Sequence, residues 1–97
     1  MDINSLKNSE WSKEYEELRH NRMVMGAFRY GEVATQDMIA YDYVRELKRR
    51  LKLYEESFNL EHLIDVGNMA MLEFMKGKKT GLPLIPIDDG VHNKKIE

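Results

Sequence analysis

The sequence predicts an all-α protein: a three-helix unit with an antiparallel hairpin of its second and third helices, followed by an extended C-terminal strap. Two observations carry this prediction. Apolar residues recur at three- and four-residue steps over most of residues 9–76, which is the period of amphipathic helices. Proline and glycine then interrupt the chain beyond residue 77. The length of 97 residues indicates one helical domain, in which we expect residues 1–8 and 88–97 to be flexible.

The first predicted helix covers about residues 9–30. Gly31 follows it and provides a left-handed stop, because glycine adopts that backbone conformation without steric cost. Residues 1–8 lack a comparable pattern and are interpreted as a loose lead-in. The apolar positions that define the helix are Trp11, Tyr15, Leu18, Met25 and Phe28.

The second predicted helix covers about residues 37–57, with Thr35 or Asp37 as its N-cap. It is amphipathic, and one of its faces is basic. The apolar stripe consists of Ile39, Tyr43, Leu47, Leu51, Tyr54 and Phe58, and the basic face of Arg45, Lys48, Arg49 and Lys52.

The third predicted helix covers about residues 60–76, with Asn59 as N-cap and Gly77 at its end. It is apolar over most of its circumference, so we expect it to be the buried central helix. The short connection Ser57–Asn59 makes it antiparallel to the second helix. The side chains expected to face the second helix are Leu63, Met71 and Phe74.

The segment after Gly77 contains Pro83 and Pro86 and therefore cannot continue the helix. Its apolar side chains still need cover, so we expect an extended strap that lies over the bundle and forms at most a short β-pairing. These side chains are Leu82, Leu84, Ile85 and Ile87.

Charge and cysteine content exclude several classes of function. With 15 Lys+Arg against 17 Asp+Glu, the net charge of -2 gives no bulk preference for nucleic acid or anionic membranes. The absence of Cys excludes disulfides, thiolate zinc sites and a cysteine nucleophile, and it fits a reducing compartment. No apolar run is long enough to span a bilayer. We therefore expect a cytoplasmic protein without a membrane partner.

A polar stripe on the third predicted helix is the first candidate site. Glu61, Asp65 and Asn68 lie within about 60° of one another on one face of the helix. Buried carboxylates need a partner, and together with carboxylates of a neighbouring helix they would suit Mg²⁺. The alternative is that Glu61 interacts with the helix dipole while Asp65 pairs with Arg49 or Lys52 of the second helix.

The segment Met25–Gly31 is the second candidate site. Arg29 and Tyr30 offer a cation and an aromatic ring that could hold a phosphate and a base. The alternative is an ordinary helix end with a glycine C-cap and a solvent-exposed arginine.

The run Gly26-Ala27-Phe28-Arg29-Tyr30-Gly31 resembles the Gly-Ala-Lys-Lys-Tyr-Gly element of phage-type MazG-like dATP/dGTP pyrophosphohydrolases. The later run His62–Ala70 is similar to the helix of such proteins that carries an acid and, a turn later, an Asn; small phage proteins have similar runs. The matching pieces cover about residues 22–76. The resemblance implies an all-α fold and Mg²⁺-dependent hydrolysis of nucleoside triphosphates to the monophosphate and pyrophosphate.

The sequence departs from the family's paired carboxylate motifs, which are Glu-x-x-Glu and Glu-x-x-Asp. Glu61 and Asp65 are four residues apart, and the chain's Glu-x-x-Glu, Glu14 with Glu17, lies on the first helix. The metal ligands implied by the resemblance are Glu61, Asp65, Glu14 and Glu17, and the implied nucleotide-binding residues are Arg29, Tyr30, Lys52 and Asn68.

Three functional hypotheses follow. The leading one is a phage-type, MazG-like nucleotide-binding protein, with or without Mg²⁺-dependent hydrolysis, in the host cytoplasm if it is phage-encoded. The second is a non-catalytic protein that binds a host protein or sequesters a nucleotide. The third is a small nucleic-acid-binding regulator that uses the basic face of the second helix. Because three helices leave the third under-covered, we also expect a homo-oligomer, namely a dimer.

Overall fold

The computed structural model describes residues 1–87, which are all-helical with no strand. The predicted all-α class is confirmed, as is a helical hairpin followed by an extended segment. The predicted flexibility of residues 88–97 lies outside the described residues. The helices are α1 (Ile3–Ser9), α2 (Lys13–Tyr30), α3 (Tyr43–Ser57) and α4 (Glu61–Lys79), and two 3-10 turns lie at Val33–Thr35 and Met38–Ala40.

Helix α4 is the centre of the molecule, because α3 and α2 both pack on it and no comparable packing joins α2 to α3. The turn from α3 to α4 is tight. Phe58 adopts a left-handed conformation (φ 54°), and its N–H donates to the Tyr54 carbonyl at 2.6 Å. The Asn59 side chain accepts from the Glu61 N–H at 3.1 Å. The predicted capping role of Asn59 is therefore present, although the helix formally begins one residue later.

The contact between α2 and α4 depends on a glycine and an asparagine. The Tyr15 ring occupies the space that a Cβ on Gly67 would fill, and its hydroxyl donates to the Leu63 carbonyl at 2.9 Å. Asn68, only 3% exposed, donates from Nδ2 to the Arg19 carbonyl at 3.0 Å. Helix α2 therefore approaches α4 closely at Gly67 and is fixed there by hydrogen bonds.

Four further element boundaries differ from the predictions, and one of them is the start of α2, which begins at Lys13 and not at about residue 9. Residues 3–9 form a helix where a loose lead-in was predicted. The prediction of a helix from residue 37 is wrong, because Asp37 caps only a 3-10 turn by accepting from the Ile39 N–H. Helix α3 begins after Asp42, whose carboxylate accepts from the Arg45 N–H at 3.0 Å. Helix α4 continues through Gly77 to Lys79.

The core is small and lies where α3, α4 and the 3-10 turns meet. Met38, Tyr43 and Leu72 are its buried members, and the partly buried side chains packed on them are Met23, Val33 and Met69. The prediction that Phe74 is a core residue is wrong, since it is 55% exposed in the single chain. The buried positions of α4 repeat every four residues through Leu72, and Phe74 lies about 200° further round the helix. Leu63 and Met71 are half-buried.

Residues 82–87, the described part of the extended segment after α4, leave their apolar side chains exposed and do not cover the bundle, so that part of the prediction is wrong. Leu82 donates its N–H to the Gly77 carbonyl at 2.8 Å and lies against that glycine. Beyond it the chain is stiffened by Pro83 and Pro86, and Ile87 is 87% exposed. Within residues 1–87, no helix combines the length and apolar character needed to cross a membrane.

Candidate functional site

A cleft of about 520 Å³ opens between the C-terminal half of α2, the connection 31–42 and the start of α3, with α4 as its floor. We call this space the cleft. It is lined by three basic side chains, Arg22, Arg29 and Arg50, by three acidic ones, Asp42, Glu46 and Asp65, and by three aromatic ones, Tyr30, Tyr41 and Tyr43. The three basic and three acidic side chains balance, so the cleft as a whole has no excess charge. The salt bridges that each side chain already forms therefore decide which of them can bind a ligand.

Asp65 lies at the centre of an ion-pair network on the cleft wall. Its side chain is 14% exposed, and its Oδ2 accepts from Arg22 Nη2 at 3.3 Å and lies 2.8 Å from Arg50 Nη1 in a salt bridge. Arg22 also donates from Nη1 to Glu61 Oε1 at 2.7 Å. The predicted alternative of an ion pair between Asp65 and the preceding helix is therefore present, but the partner is Arg50 and not Arg49 or Lys52.

Arginine side chains contact both of the α4 carboxylates that were predicted as metal ligands. Glu61 and Asp65 are already bound by guanidinium groups, so a metal ion would have to displace positive charges from both. Glu14 and Glu17 are exposed on α2, where Glu17 lies 3.8 Å from the Lys13 ammonium. Within residues 1–87, no three His, Cys, Asp or Glu side chains gather to hold a metal ion.

Glu46 is a second carboxylate beside the cleft that is occupied by arginines. It accepts from Arg49 Nε at 3.3 Å and from Arg49 Nη2 at 3.0 Å, and it lies 3.7 Å from Arg50 Nε. The Arg49 hydrogen bond lowers the pKa of Glu46, and the charges of Arg49, Arg50 and Arg45 add to this effect against the opposing effect of desolvation. Arg50 thus stands between Glu46 and Asp65.

Three of the four predicted nucleotide-binding residues line the cleft: Arg29, Tyr30 and Asn68. Lys52 is exposed on α3 and does not line it. Arg29 lies in the last turn of α2, and within the described part of the chain it forms no salt bridge. Asn68 has its amide engaged, because Nδ2 donates to the Arg19 carbonyl and Oδ1 accepts from Arg19 Nη1 at 3.4 Å. Among the predicted nucleotide-binding residues, Arg29 is therefore the cation of the cleft that is available to bind an anionic ligand.

Aromatic rings form another wall of the cleft. Tyr41 and Tyr43 stack with ring centroids 5.9 Å apart and planes inclined by 20°. Tyr41 is 51% exposed, whereas the Tyr43 hydroxyl is buried without a hydrogen-bond partner among residues 1–87. Burial raises the pKa of Tyr43, and Tyr41 and Glu73 raise it further. Lys76 donates to the Tyr41 carbonyl at 2.7 Å and lies over the Tyr43 ring, which fixes this wall to α4.

The sequence-based interpretation did not single out Arg22 and Arg50, although a signal for Arg50 was present. Tyr43, Leu47, Arg50 and Tyr54 follow one another at helical steps along the face of α3 that meets α4. An arginine within an apolar stripe needs a buried carboxylate, which Asp65 provides. A similar signal was present on α2, because Arg22 lies four residues after Leu18 and three before Met25 and so falls within the apolar stripe of that helix.

Comparisons with protein-family models, with curated proteins and with solved structures found no match for this chain. The resemblance of Gly26–Gly31 to the MazG-like element therefore stays a prediction. The geometry and charges of the cleft carry the functional interpretation.

Proposed function

We propose that this chain binds a nucleotide in the cleft without the help of a metal ion. The observation that carries the proposal is Arg29, a guanidinium group that forms no salt bridge among residues 1–87 and lies on the wall of a cleft that also presents an exposed tyrosine ring. The volume of about 520 Å³ falls within the range of about 300–1,000 Å³ that is usual for small-molecule sites. A cation beside an aromatic surface suits an anionic ligand with a flat ring.

The cleft residues divide into a phosphate-binding and a ring-binding group. Arg29 can donate two parallel hydrogen bonds to a phosphoryl group, which a planar guanidinium does better than an ammonium. Tyr41, held in place by its stack on Tyr43 and by Lys76, offers a face for the base. Tyr30 lines the cleft with a largely exposed side chain, so its ring is accessible to the same ligand.

The MazG-like resemblance supports the nucleotide part of this proposal and suggests a phage or prophage origin. Hydrolysis is not part of the proposal, since the carboxylates that would hold Mg²⁺ are bound by Arg22 and Arg50. Sequestration of a nucleotide needs only a binding cleft, so we propose this role. The absence of Cys is in keeping with a reducing cytoplasm.

Isothermal titration calorimetry with nucleoside mono- and triphosphates in EDTA tests the proposal. We expect binding in EDTA, and a loss of about tenfold or more in affinity for Arg29→Ala, because a charge-assisted hydrogen bond contributes at least about 1.4 kcal/mol. Arg45→Ala is the matched control, since Arg45 is an exposed arginine outside the cleft lining with no salt bridge among residues 1–87. Binding that requires Mg²⁺, or an equal effect of both substitutions, would reject metal-free binding at Arg29.

We also propose that the chain forms a homodimer through α2. Leu18, Met25 and Phe28 follow one another at helical steps of seven and three residues, and all three are exposed, Phe28 at 89%. Four apolar side chains are buried within residues 1–87, which is a small core for a helical domain. A second copy would cover the α2 stripe and extend the apolar contact. A stable monomer would instead favour the hypothesis of a different protein partner.

A further inference from the structure

We infer that Arg22 and Arg50 form a second phosphoryl-binding subsite in the cleft, and that Asp65 occupies this subsite until an anion displaces it. This inference rests on the proposed function, because it assigns a further part of the same cleft. The chemical class of ligand is a phosphate or pyrophosphate group, either free or carried by a nucleotide.

The two arginines converge on a single oxygen atom. Arg50 Nη1 lies 2.8 Å and Arg22 Nη2 lies 3.3 Å from the same atom, Asp65 Oδ2. A point that lies within hydrogen-bond distance of two guanidinium groups is a position for an anionic oxygen. A phosphoryl group offers three such oxygens and more negative charge than a carboxylate, so it can replace Asp65 at this position.

The arginines remain positioned when Asp65 leaves. Arg22 keeps its 2.7 Å contact with Glu61, and Arg50 keeps Glu46 at 3.7 Å from its Nε. Each guanidinium is therefore held by a second carboxylate outside the shared point. Arg50 Nε is buried without a hydrogen-bond partner among the described residues, so the present arrangement leaves this arginine incompletely satisfied.

The subsite is continuous with the proposed nucleotide position. Arg22 and Arg29 lie seven residues apart on α2, which places them on nearly the same face at a separation of about 10 Å along the helix. Both line the cleft, as does Arg50. Asp65 therefore acts as an internal competitor, which weakens anion binding in the wild-type chain and neutralises Arg22 and the half-buried Arg50 when no ligand is bound.

Calorimetric titration of Asp65→Asn with inorganic pyrophosphate in EDTA tests the inference. Asn keeps the shape of the side chain but not its charge, so the arginines become available and we expect the affinity to rise by about tenfold. The double variant Asp65→Asn/Arg50→Ala should lose this gain. An unchanged or weaker affinity of Asp65→Asn would overturn the inference.

Asp42→Asn is the matched control for the general effect of removing a negative charge. Asp42 lines the same cleft, but its carboxylate caps α3 and pairs with no arginine side chain among residues 1–87. We expect a clearly smaller gain than for Asp65→Asn, and an equal gain would overturn the inference. The proposed function is judged separately by nucleotide binding to the wild-type chain and to Arg29→Ala, so the two proposals can fail independently.

The wild-type chain provides a second measurement if Asp65→Asn does not fold. Pyrophosphate can be titrated while the guanidinium ¹⁵N resonances are followed by NMR. We expect saturable shifts for Arg22 and Arg50, and none for Arg45, which lies outside the cleft lining. If the resonances of Arg22 and Arg50 stay unchanged, Asp65 is a permanent structural partner and the inference is wrong.

Discussion

Tyr15, Arg19 and Asn68 hold α2 against α4 at a contact that could have been formed by apolar side chains. Tyr15 and Asn68 donate to backbone carbonyls across the contact, while Arg19 Nη1 lies 3.0 Å from the Met71 sulfur and Nη2 binds Glu16 at 2.8 Å. Hydrogen bonds are directional, so this contact fixes the position of α2 along α4 more sharply than apolar packing alone. The cleft depends on that position, because α2 forms one of its walls.

Gly67→Ala should destabilise the protein by about 1–3 kcal/mol. A Cβ at this position would collide with the Tyr15 hydroxyl and lie 3.0 Å from Tyr15 Cζ and 3.1 Å from Arg19 Cδ. Gly26→Ala is the matched control, since no atom lies within 4 Å of its Cβ position and alanine is the better helix former by about 1 kcal/mol. Urea denaturation of both variants checks the prediction, and equal effects in the same direction would contradict it.

Tyr43→Phe should stabilise the protein by about 1 kcal/mol at neutral pH, because a buried hydroxyl without a hydrogen-bond partner is costly. The ring that stacks on Tyr41 is retained. Tyr41→Phe, at the exposed partner of the stack, should change the free energy of unfolding little. Thermal denaturation of the two variants distinguishes them, and a clear loss of stability in Tyr43→Phe would show that the hydroxyl has a partner.

The raised pKa of Tyr43 predicts a specific alkaline sensitivity. Burial raises the pKa above 10.0, so the unfolded chain releases the phenol proton at a lower pH than the folded chain does. The contribution of Tyr43 to stability is therefore complete below pH 10.0 and is lost as the pH rises through the folded-state value. Denaturation measured above pH 10 should show a smaller pH dependence for Tyr43→Phe than for the wild-type chain.

At the scale of elements, the sequence predicts the long helices better than their starting points. The α3–α4 turn and the end of α2 at Gly31 follow from local chemistry, since Gly31 has φ 91° and Asn59 bonds the first turn of α4. The start of α3 cannot be predicted from local chemistry, because Asp37 and Asp42 are both good N-caps. The choice between them depends on burying Met38 in a 3-10 turn, which is a tertiary contact that no local pattern reveals.

Asp42→Ala should cost about 1 kcal/mol of stability, which is the usual effect of losing an N-cap. The Asp42 carboxylate accepts from the Arg45 N–H at 3.0 Å. Asp42→Asn should keep most of the stability, since an amide oxygen can accept the same bond. Helix content by circular dichroism and urea midpoints of the two variants check this prediction, which an equal loss in both variants would contradict.

At the scale of the whole molecule, the sequence places Arg29 and Tyr30 at the site but not Arg22 and Arg50. Arg29 and Tyr30 are predictable because they adjoin the glycine that ends α2. The role of Arg22 depends on Glu61 and Asp65 of α4 lying beside it, which is a tertiary contact that the pattern of α2 alone does not reveal. The packing selects the side with Tyr15 because Gly67 permits close approach there. The apolar face, with Phe28, is left for the proposed second copy.

Phe28→Glu should convert the proposed dimer to a monomer, because a charge at the centre of an apolar contact is not compensated there. Leu84→Glu is the control, since Leu84 is an exposed apolar residue in the extended segment after α4 and is not part of α2. Sedimentation equilibrium of the three proteins measures the result. A wild-type chain that is already monomeric, or an equal effect of both substitutions, would contradict self-association through α2.

Methionine supplies much of the small core, and this has a consequence for the chemistry of the protein under oxidants. Met38 is buried, and Met23 and Met69 pack against the same cluster. The chain has seven Met and no Cys, so the sulfur groups that peroxide can oxidise are thioethers and not thiols. Oxidation turns a thioether into a polar sulfoxide, which is poorly accommodated in a core. Because Met23 and Met69 also line the cleft, sulfoxide formation there would weaken folding and ligand binding together, and methionine sulfoxide reductases could restore both.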